Sequence, residues 1–520
     1  MSFRFRFNKK QPPSQPINLE KNWFKRVFGD KAFIKACAKL FFPAIIEVII
    51  VTSVNYFDSF FLAAFTPDSL GAAAKTATVI ASQLIFVPTI MFISIASAGG
   101  IMAAQYYGKR DYLRFKECIN FMLLSSLISN IIFITVFIVI PLEIVGLMSG
   151  AEIVDTTDPL AVKNFQITNQ LAATYLRYQS LTLIPYLFTF IMAVAYRQDN
   201  SPIIPMIATV LAVITNIILD PILIIYVAKN ANEAVMYVAL ATVIARALAA
   251  LFLLTITLIR KDKPYYFFNH IKIRKDIVKA IFINGWQIFI NEILFAVGTV
   301  ILATFFLRYN QTHRDAIATV NLIVQFTTLI WPGAATVVAV LVLAKLGANK
   351  IDEAKNNTKK LMSWSIVVGI VLAIILLILS FFVNEVLNPP AANSKEAILK
   401  AEQTVVIAKY LEWIVASTIL LQAPSAVIYF CVRGGGSKWL LCIDTLTIVI
   451  WIIFIGTITN VNISANLDER IHPVLLFFMI ESQYIFKIIA SILIWKYTKW
   501  ANNLANKDSK KEKGVNHVQI

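Results

Sequence analysis

Two aspartates, Asp58 and Asp220, lie inside segments that are otherwise apolar enough to cross a membrane. A charged side chain at the centre of a bilayer costs about 2.5–3.5 kcal/mol on insertion scales, so such residues are rare and usually functional. Asn216 lies one helical turn before Asp220, and Thr242 lies in the next apolar segment. Carboxylate, amide and hydroxyl oxygens together suit a small hard cation. Two close buried acids cannot both be charged cheaply, so the pair could also hold a proton.

The composition indicates an all-α, polytopic membrane protein. Of the 520 residues, 58% are hydrophobic, against about 45–50% apolar residues in soluble globular chains. The mean hydropathy is +0.71. Apolar runs of about 20 residues, the length that spans a bilayer, recur along the whole sequence. Hydropathy predicts about twelve transmembrane helices, at residues 40–64, 78–105, 119–141, 171–196, 201–227, 233–259, 277–307, 315–344, 361–387, 404–431, 437–458 and 472–497.

The net charge of +17 predicts an orientation in the membrane. Most basic residues fall on alternate flanks of the predicted spans, on the side that holds both termini. Basic loops stay in the cytoplasm, so we expect both termini to be cytoplasmic. No basic folded domain with exposed aromatic residues is visible, so a nucleic-acid partner is not expected. The expected partner of the basic flanks is the lipid bilayer.

The sequence contains signs of an internal duplication. Gly108, in Ala-Gln-Tyr-Tyr-Gly after the second span, and Gly347, in Ala-Lys-Leu-Gly after the eighth, are 239 residues apart. Arg197 and Arg433 end the fourth and tenth spans, 236 residues apart. A nearly constant offset predicts two parallel six-helix lobes. The predicted division is a basic segment (1–39), a first lobe (40–259), a cytoplasmic linker (260–276), a second lobe (277–497) and a basic tail (498–520).

The predicted orientation places the polar residues of the first lobe at one depth. Helices one and five run outward and helix six runs inward. At 1.5 Å per residue, Asp58 and Asp220 each lie about 10 Å below the outer end of their helix, and Thr242 about 13 Å below. We therefore expect these side chains to converge in the outer half of the membrane. A structural alternative is that the two acids pair with Arg246 or Arg177.

Several segments of the chain, which together reach from about residue 36 to 500, resemble a known family. The sequence is similar to the helices and turns of the MATE (multidrug and toxin extrusion) transporters, most strongly in the first half. The segments that carry the resemblance are Asp58 with Pro43 fifteen residues before it, residues 104–108, residues 196–202 followed by 215–221, residues 239–244 and residues 432–436.

This resemblance implies a fold and a site. It implies two six-helix lobes around a central cleft, and export of organic, often cationic, compounds driven by inward Na+ or H+. It also implies that the coupling-cation site, which is the possible Na+ site, consists of Asp58, Asn216, Asp220 and Thr242.

The resemblance also points to the second lobe. Some members carry further acids on the seventh and tenth helices. Those positions fall near Glu292 and Gln422 here, and Gln422 is not acidic, so the first-lobe site is favoured. We regard Glu292 and Gln422, with Glu47 near the inner side of helix one, as candidates for the wall of the substrate cleft.

The sequence thus predicts a cation-coupled antiporter of the cell membrane rather than an enzyme. We expect cationic or amphipathic organic substrates, alternating access of the two lobes, a monomer, and no cofactor besides the coupling ion. Two alternatives stay open: a flippase for lipid-linked precursors, which predicts a large and strongly cationic cavity, and a passive channel. The substrate's identity and the choice between Na+ and H+ also stay open.

Overall fold

The computed structural model describes residues 23–67, 70–148, 159–304, 306, 309, 312–313, 316–317, 319–320, 329–387, 395–436, 439, 443–459 and 471–506. These residues form helices and connecting segments, with no strand among them. The helices are α1 (Trp23–Phe28), α2 (Lys31–Phe65), α3 (Gly71–Lys109), α4 (Tyr112–Val139), α5 (Pro141–Met148), α6 (Pro159–Gln179), α7 (Leu183–Gln198), α8 (Ile203–Tyr226), α9 (Ala231–Ile259), α10 (Lys275–Thr304), α11 (Ile330–Val338), α12 (Ala344–Gly347), α13 (Ile351–Leu387), α14 (Lys395–Gly434), α15 (Thr445–Thr459), α16 (Pro473–Glu481) and α17 (Gln483–Tyr497).

The all-α membrane architecture is confirmed. Ten helical stretches of the described chain are long and apolar enough to cross a membrane, and α15 is a shorter apolar helix. Several helices run well beyond the predicted spans, because helical hydrogen bonding continues into the polar flanks that hydropathy excludes. The longest, α3 and α14, contain 39 and 40 residues. The predicted eighth span begins at residue 315, but residues 321–328 lie outside the described part of the chain.

The predicted fourth span is an interrupted helix. A 3-10 turn at Ser180–Thr182 separates α6 from α7. The Ser180 hydroxyl donates to the Arg177 carbonyl and the Thr182 hydroxyl to the Gln179 carbonyl, at 2.8 and 2.7 Å. Side-chain hydroxyls that bond back to the preceding turn compete with regular helical pairing, which explains the tighter turn. Hydropathy carries no signal for such an interruption.

The two halves of the chain meet at the end of the molecule where the linker 260–276 lies, which we call the linker side. There the duplicated motifs contact each other. A Cβ atom added to Gly108 would overlap the backbone of Ala344, and one added to Gly347 would overlap the backbone of Gln105. Glycine allows two helices to cross at this separation because it has no side chain. The repeat recognised in the sequence therefore forms a close crossing between the halves.

The segment that follows α17 crosses the linker side and contacts both halves. The Gln105 side chain accepts from the Leu504 backbone N–H at 2.6 Å and donates to the Gly434 carbonyl at 2.8 Å. Asn503 donates to the Gly347 carbonyl at 3.1 Å. The predicted basic tail (498–520) is thus a packed segment as far as Asn506, and residues 507–520 lie outside the described range.

Buried apolar side chains form two separate clusters. One cluster draws on both halves of the chain and includes Phe92, Met102, Val342 and Ile428. The other lies wholly within residues 62–239, on helices α2 to α9. The candidate cation-binding acids lie on helices that contribute to this second cluster, at a distance from the seam between the halves.

Candidate functional site

Three helices of the first half carry the four predicted cation-site residues. Asp58 is on α2, Asn216 and Asp220 are on α8, and Thr242 is on α9. Their side chains are almost fully buried, with exposed fractions of 1%, 1%, 0% and 3%. The short connection between α8 and α9 makes these two helices antiparallel neighbours, and both pack against α2. Acids at this depth need compensation by hydrogen bonds or by a bound cation.

The structure brings the four side chains together. The Thr242 hydroxyl lies 3.2 Å from Asp58 Oδ2, and Asn216 Nδ2 donates to Thr242 Oγ1 at 3.1 Å. Asn216 Nδ2 also lies 3.3 Å from Asp220 Oδ1. Through Asn216 and Thr242, these hydrogen bonds link the carboxyl groups of Asp58 and Asp220. We call this set, with its four residues, the acid cluster.

Three oxygens of the acid cluster lack a donor. Asp58 Oδ1, Asp220 Oδ2 and Asn216 Oδ1 are buried without a hydrogen-bond partner among the described residues. Within the same residues no Lys or Arg nitrogen pairs with either carboxylate, so the alternative in which Arg246 or Arg177 neutralises them is wrong. Buried oxygen acceptors without a hydrogen-bond donor are the groups that bind a small cation.

Sequence reasoning missed one member of this site. The Tyr175 hydroxyl, on α6, donates to Asp58 Oδ2 at 3.1 Å, and the tyrosine is buried. In the sequence Tyr175 opens the fourth span as Tyr410 opens the tenth, 235 residues later, which marks it only as part of the internal repeat. The signal that could have identified it is a tyrosine within an apolar segment, because a buried phenol needs a partner for its O–H group.

A cavity of about 480 Å³ lies between the two halves of the chain, and we call it the central cavity. Glu47 and Glu292 both line it, as predicted for the cleft wall. Each is paired with an arginine: Arg197 Nη2 lies 2.6 Å from Glu47 Oε2, and Arg433 Nη1 lies 3.1 Å from Glu292 Oε1. The two pairs occupy corresponding helices of the two repeats. Sequence reasoning identified both arginines only as the ends of spans.

The third cleft candidate, Gln422, is not brought to the central cavity. Its side-chain amide donates to Thr418 Oγ1 at 3.2 Å, and the same hydroxyl donates to Glu481 Oε2 at 3.1 Å. Gln422 therefore packs inside the second half, where α14 contacts α16. Gln422 lies eleven residues from Arg433, which does line the cavity, so it is about 16 Å away along the axis of α14, at another depth.

Other buried acids of the second half have protein partners. Lys487 Nζ lies 2.5 Å from Asp444 Oδ1, and Asn384 donates to Glu412 at 2.9 Å. Lys487 is itself the cation that neutralises Asp444, so this pair needs no bound ion. In the acid cluster, by contrast, Asp58 and Asp220 are linked through Thr242 and Asn216, and no basic residue of the described chain pairs with either carboxylate.

Comparisons with known proteins agree with this architecture. The MatE family profile matches residues 43–222. The chain is 27% identical over 235 residues to the multidrug export protein MepA of Staphylococcus saprophyticus, which covers 45% of this chain and 48% of that protein. It is 25% identical over 281 residues to MepA of Staphylococcus haemolyticus, which covers 54% and 58%. The chain thus spans about half the length of these curated relatives.

A solved structure extends the likeness to nearly the whole fold. The Vibrio cholerae MATE transporter VcmN in its bent form covers 92% of this chain and 98% of its own, with a TM-score of 0.68 and 14% identity. This identity is low, so the likeness bears on the fold alone. The family profile covers the helices that hold Asp58, Asn216 and Asp220. Together these findings show that residues 43–222 match the MatE family profile and that the fold as a whole is similar to that of MATE transporters.

Proposed function

We propose that this protein is an antiporter that exports cationic or amphipathic organic compounds across the cell membrane in exchange for inward Na+ or H+. The observation that carries the proposal is the acid cluster. It combines two carboxyl groups linked through Asn216 and Thr242, three acceptor oxygens without a donor and no basic neighbour among the described residues. A bound Na+ or a shared proton would neutralise this arrangement.

The helices of the acid cluster also line the central cavity, which supplies a physical route for coupling. Helix α2 carries both Asp58 and Glu47, and α9 carries both Thr242 and Arg246. On α2 the two acids are separated by about 16 Å along the helix axis at 1.5 Å per residue. A cation that draws the three helices together at one end would therefore change the cavity at the other. Coupling requires that the cation bind the two conformations with different affinity.

The size of the central cavity supports a small-molecule substrate. Its volume of about 480 Å³ is typical of small-molecule sites, which occupy about 300–1,000 Å³. Its wall is mainly apolar, and its charged groups are two glutamates and three arginines. A flippase for lipid-linked precursors predicts a larger and more strongly cationic cavity, so this volume and charge favour export of small amphipathic compounds.

The test is ion-driven efflux of a fluorescent amphiphile from proteoliposomes, with the Na+ and proton gradients imposed separately. Replacing the acid in Asp58→Asn keeps the size of the side chain and removes the charge that attracts the cation. We expect this variant to lose efflux driven by the coupling ion. Glu412→Gln is the matched control, because Glu412 is an equally buried acid (2% exposed) outside the acid cluster.

The two gradients identify the ion. Efflux by the wild type that follows an inward Na+ gradient at constant pH assigns Na+, and efflux that follows only the pH gradient assigns H+. Undiminished gradient-driven efflux by Asp58→Asn would refute the role of the acid cluster. A loss of efflux in Glu412→Gln to the same extent would show that any buried acid matters, which also contradicts the proposal.

A further inference from the structure

The charged groups of the central cavity do not balance. Arg197 and Arg433 each contact one glutamate, so these two ion pairs are neutral as units. Arg246 is the fifth charged group of the wall. Because a guanidinium stays protonated in proteins, the cavity wall carries one excess positive charge.

Arg246 has an aromatic neighbour and no acidic one. Its guanidinium carbon lies 4.3 Å from the centre of the Tyr186 ring, which also lines the cavity. In the described part of the chain no carboxylate lies within ion-pair distance of it and no hydrogen bond to it is formed. A ring face offers no oxygen acceptor, so the five N–H donors of the guanidinium are available to a ligand.

Arg246 also lies deep in the membrane-spanning region. It is fifteen residues from the start of α9 at Ala231 and thirteen from its end at Ile259, which places it about 20 Å from either end. A charge at this depth that faces a cavity and lacks a counterion in the protein is expected to serve a ligand.

We propose that Arg246 binds an anionic group of the transported compound, so that the preferred substrate is an amphipathic compound with a carboxylate or similar anion, in zwitterionic or anionic form. This inference rests on the proposed role of the central cavity as the substrate site. The planar guanidinium can hold a carboxylate by two parallel hydrogen bonds. The apolar body of the compound packs on Val48, Ile93, Phe190, Trp331 and Phe430. A compound that is only cationic meets the excess positive charge without a partner.

The test compares two dyes that differ by one group. Rhodamine B has a free carboxylate, and its ethyl ester has the same ring system without that anion. Binding of each dye to the full-length protein in nanodiscs is measured by fluorescence anisotropy, in one buffer without an ion gradient. We expect the wild type to bind the acid at least about tenfold more tightly than the ester, the ratio that one hydrogen-bonded charge provides.

Three variants locate the effect. Arg246→Gln should remove the preference by weakening binding of the acid, while binding of the cationic ester stays as tight or becomes tighter because the excess positive charge is gone. Arg246→Lys should keep part of the preference, because the charge remains. Arg177→Gln is the control, since Arg177 is exposed and outside the cavity wall. Size-exclusion elution and thermal unfolding confirm that each variant is folded.

Equal or tighter binding of the ester by the wild type would overturn this inference. So would an Arg246→Gln variant that weakens both dyes equally, or an absence of measurable binding for both dyes. Binding that follows the prediction, in a protein whose efflux no gradient drives, would contradict the proposed antiport and leave the Arg246 site in place. The two proposals therefore fail on different measurements.

Discussion

At the scale of single residues, the acid cluster depends on how few donors reach it. Asp58 receives hydrogen bonds at Oδ2 from Tyr175 and Thr242, while Oδ1 has no donor among the described residues. The two donors fix the orientation of the carboxyl group and leave one oxygen for a cation. The hydroxyl of Tyr175 should therefore position Asp58 without binding the cation itself.

Tyr175→Phe tests this positioning role. We expect ion-driven efflux to fall several-fold without being lost, because the charge of Asp58 remains and only its orientation is released. Loss of a hydrogen bond to a charged group should also lower the free energy of unfolding by about 1–3 kcal/mol. The measurements are efflux rate and thermal unfolding in detergent.

Tyr178→Phe is the matched control for that variant, because Tyr178 lies on the same helix, only partly buried, and makes no described hydrogen bond. Wild-type efflux in Tyr175→Phe would show that Thr242 alone orients Asp58, and complete loss would place the phenol among the cation ligands.

The residue types that stand out in a sequence are those that conflict with their surroundings. Asp58 and Asp220 were predictable because a carboxylate in an apolar segment is costly, and the helical rise placed them at one depth with Thr242. Tyr175 and Arg246 were not assigned to a site, because tyrosine is common at membrane interfaces and the sequence does not show which face of α9 meets the cavity. Gln422 was assigned to the cleft by resemblance, but it lies at another depth of α14, beside Thr418 and Glu481.

Among the helices, the duplicated motifs bring the two halves into backbone contact at Gly108 and Gly347. Gly108→Ala would put a methyl group into the backbone of Ala344. We expect the helices to separate and the melting temperature to fall, with a cost of roughly 1–3 kcal/mol. Gly146→Ala is the control, since nothing lies within 4 Å of the added Cβ atom. If Gly108→Ala and Gly146→Ala have the same melting temperature, this crossing adds no stability.

The segment after α17 should strengthen the same seam. Gln105→Ala leaves the N–H of Leu504 without its acceptor and removes the bond to Gly434. We expect faster trypsin cleavage at the exposed Lys499, because the segment detaches more often. An unchanged cleavage rate would mean that the apolar contacts of Trp500, which is buried, hold the segment without Gln105.

Hydropathy predicted the helices themselves because each must bury its backbone polar groups in a bilayer. It could not predict where they end, since helices such as α3 continue past the apolar core. The 3-10 turn at Ser180–Thr182 depends on hydroxyl groups that hydropathy ignores. The crossing of Gly108 and Gly347 follows from the repeat, but only the fold shows that the two copies contact each other.

For the whole molecule, export coupled to a cation requires a carrier with two alternating conformations. The described bond from Gln105 to Gly434 joins the two halves near the linker side. The acid cluster lies on helices that reach the other side. We expect counterflow: external dye should speed the exit of trapped dye. A passive channel would not exchange solute against its gradient.

If the linked carboxyl groups of Asp58 and Asp220 take up the coupling cation, the purified protein should bind that cation directly. Binding of ²²Na+ and release of protons are measured on purified protein at equilibrium, for the wild type, Asp58→Asn, Asp220→Asn and Glu412→Gln. We predict that the wild type and Glu412→Gln bind the same cation in the same amount, and that both aspartate variants lose it. Unchanged binding of that cation by Asp58→Asn and Asp220→Asn would contradict the account.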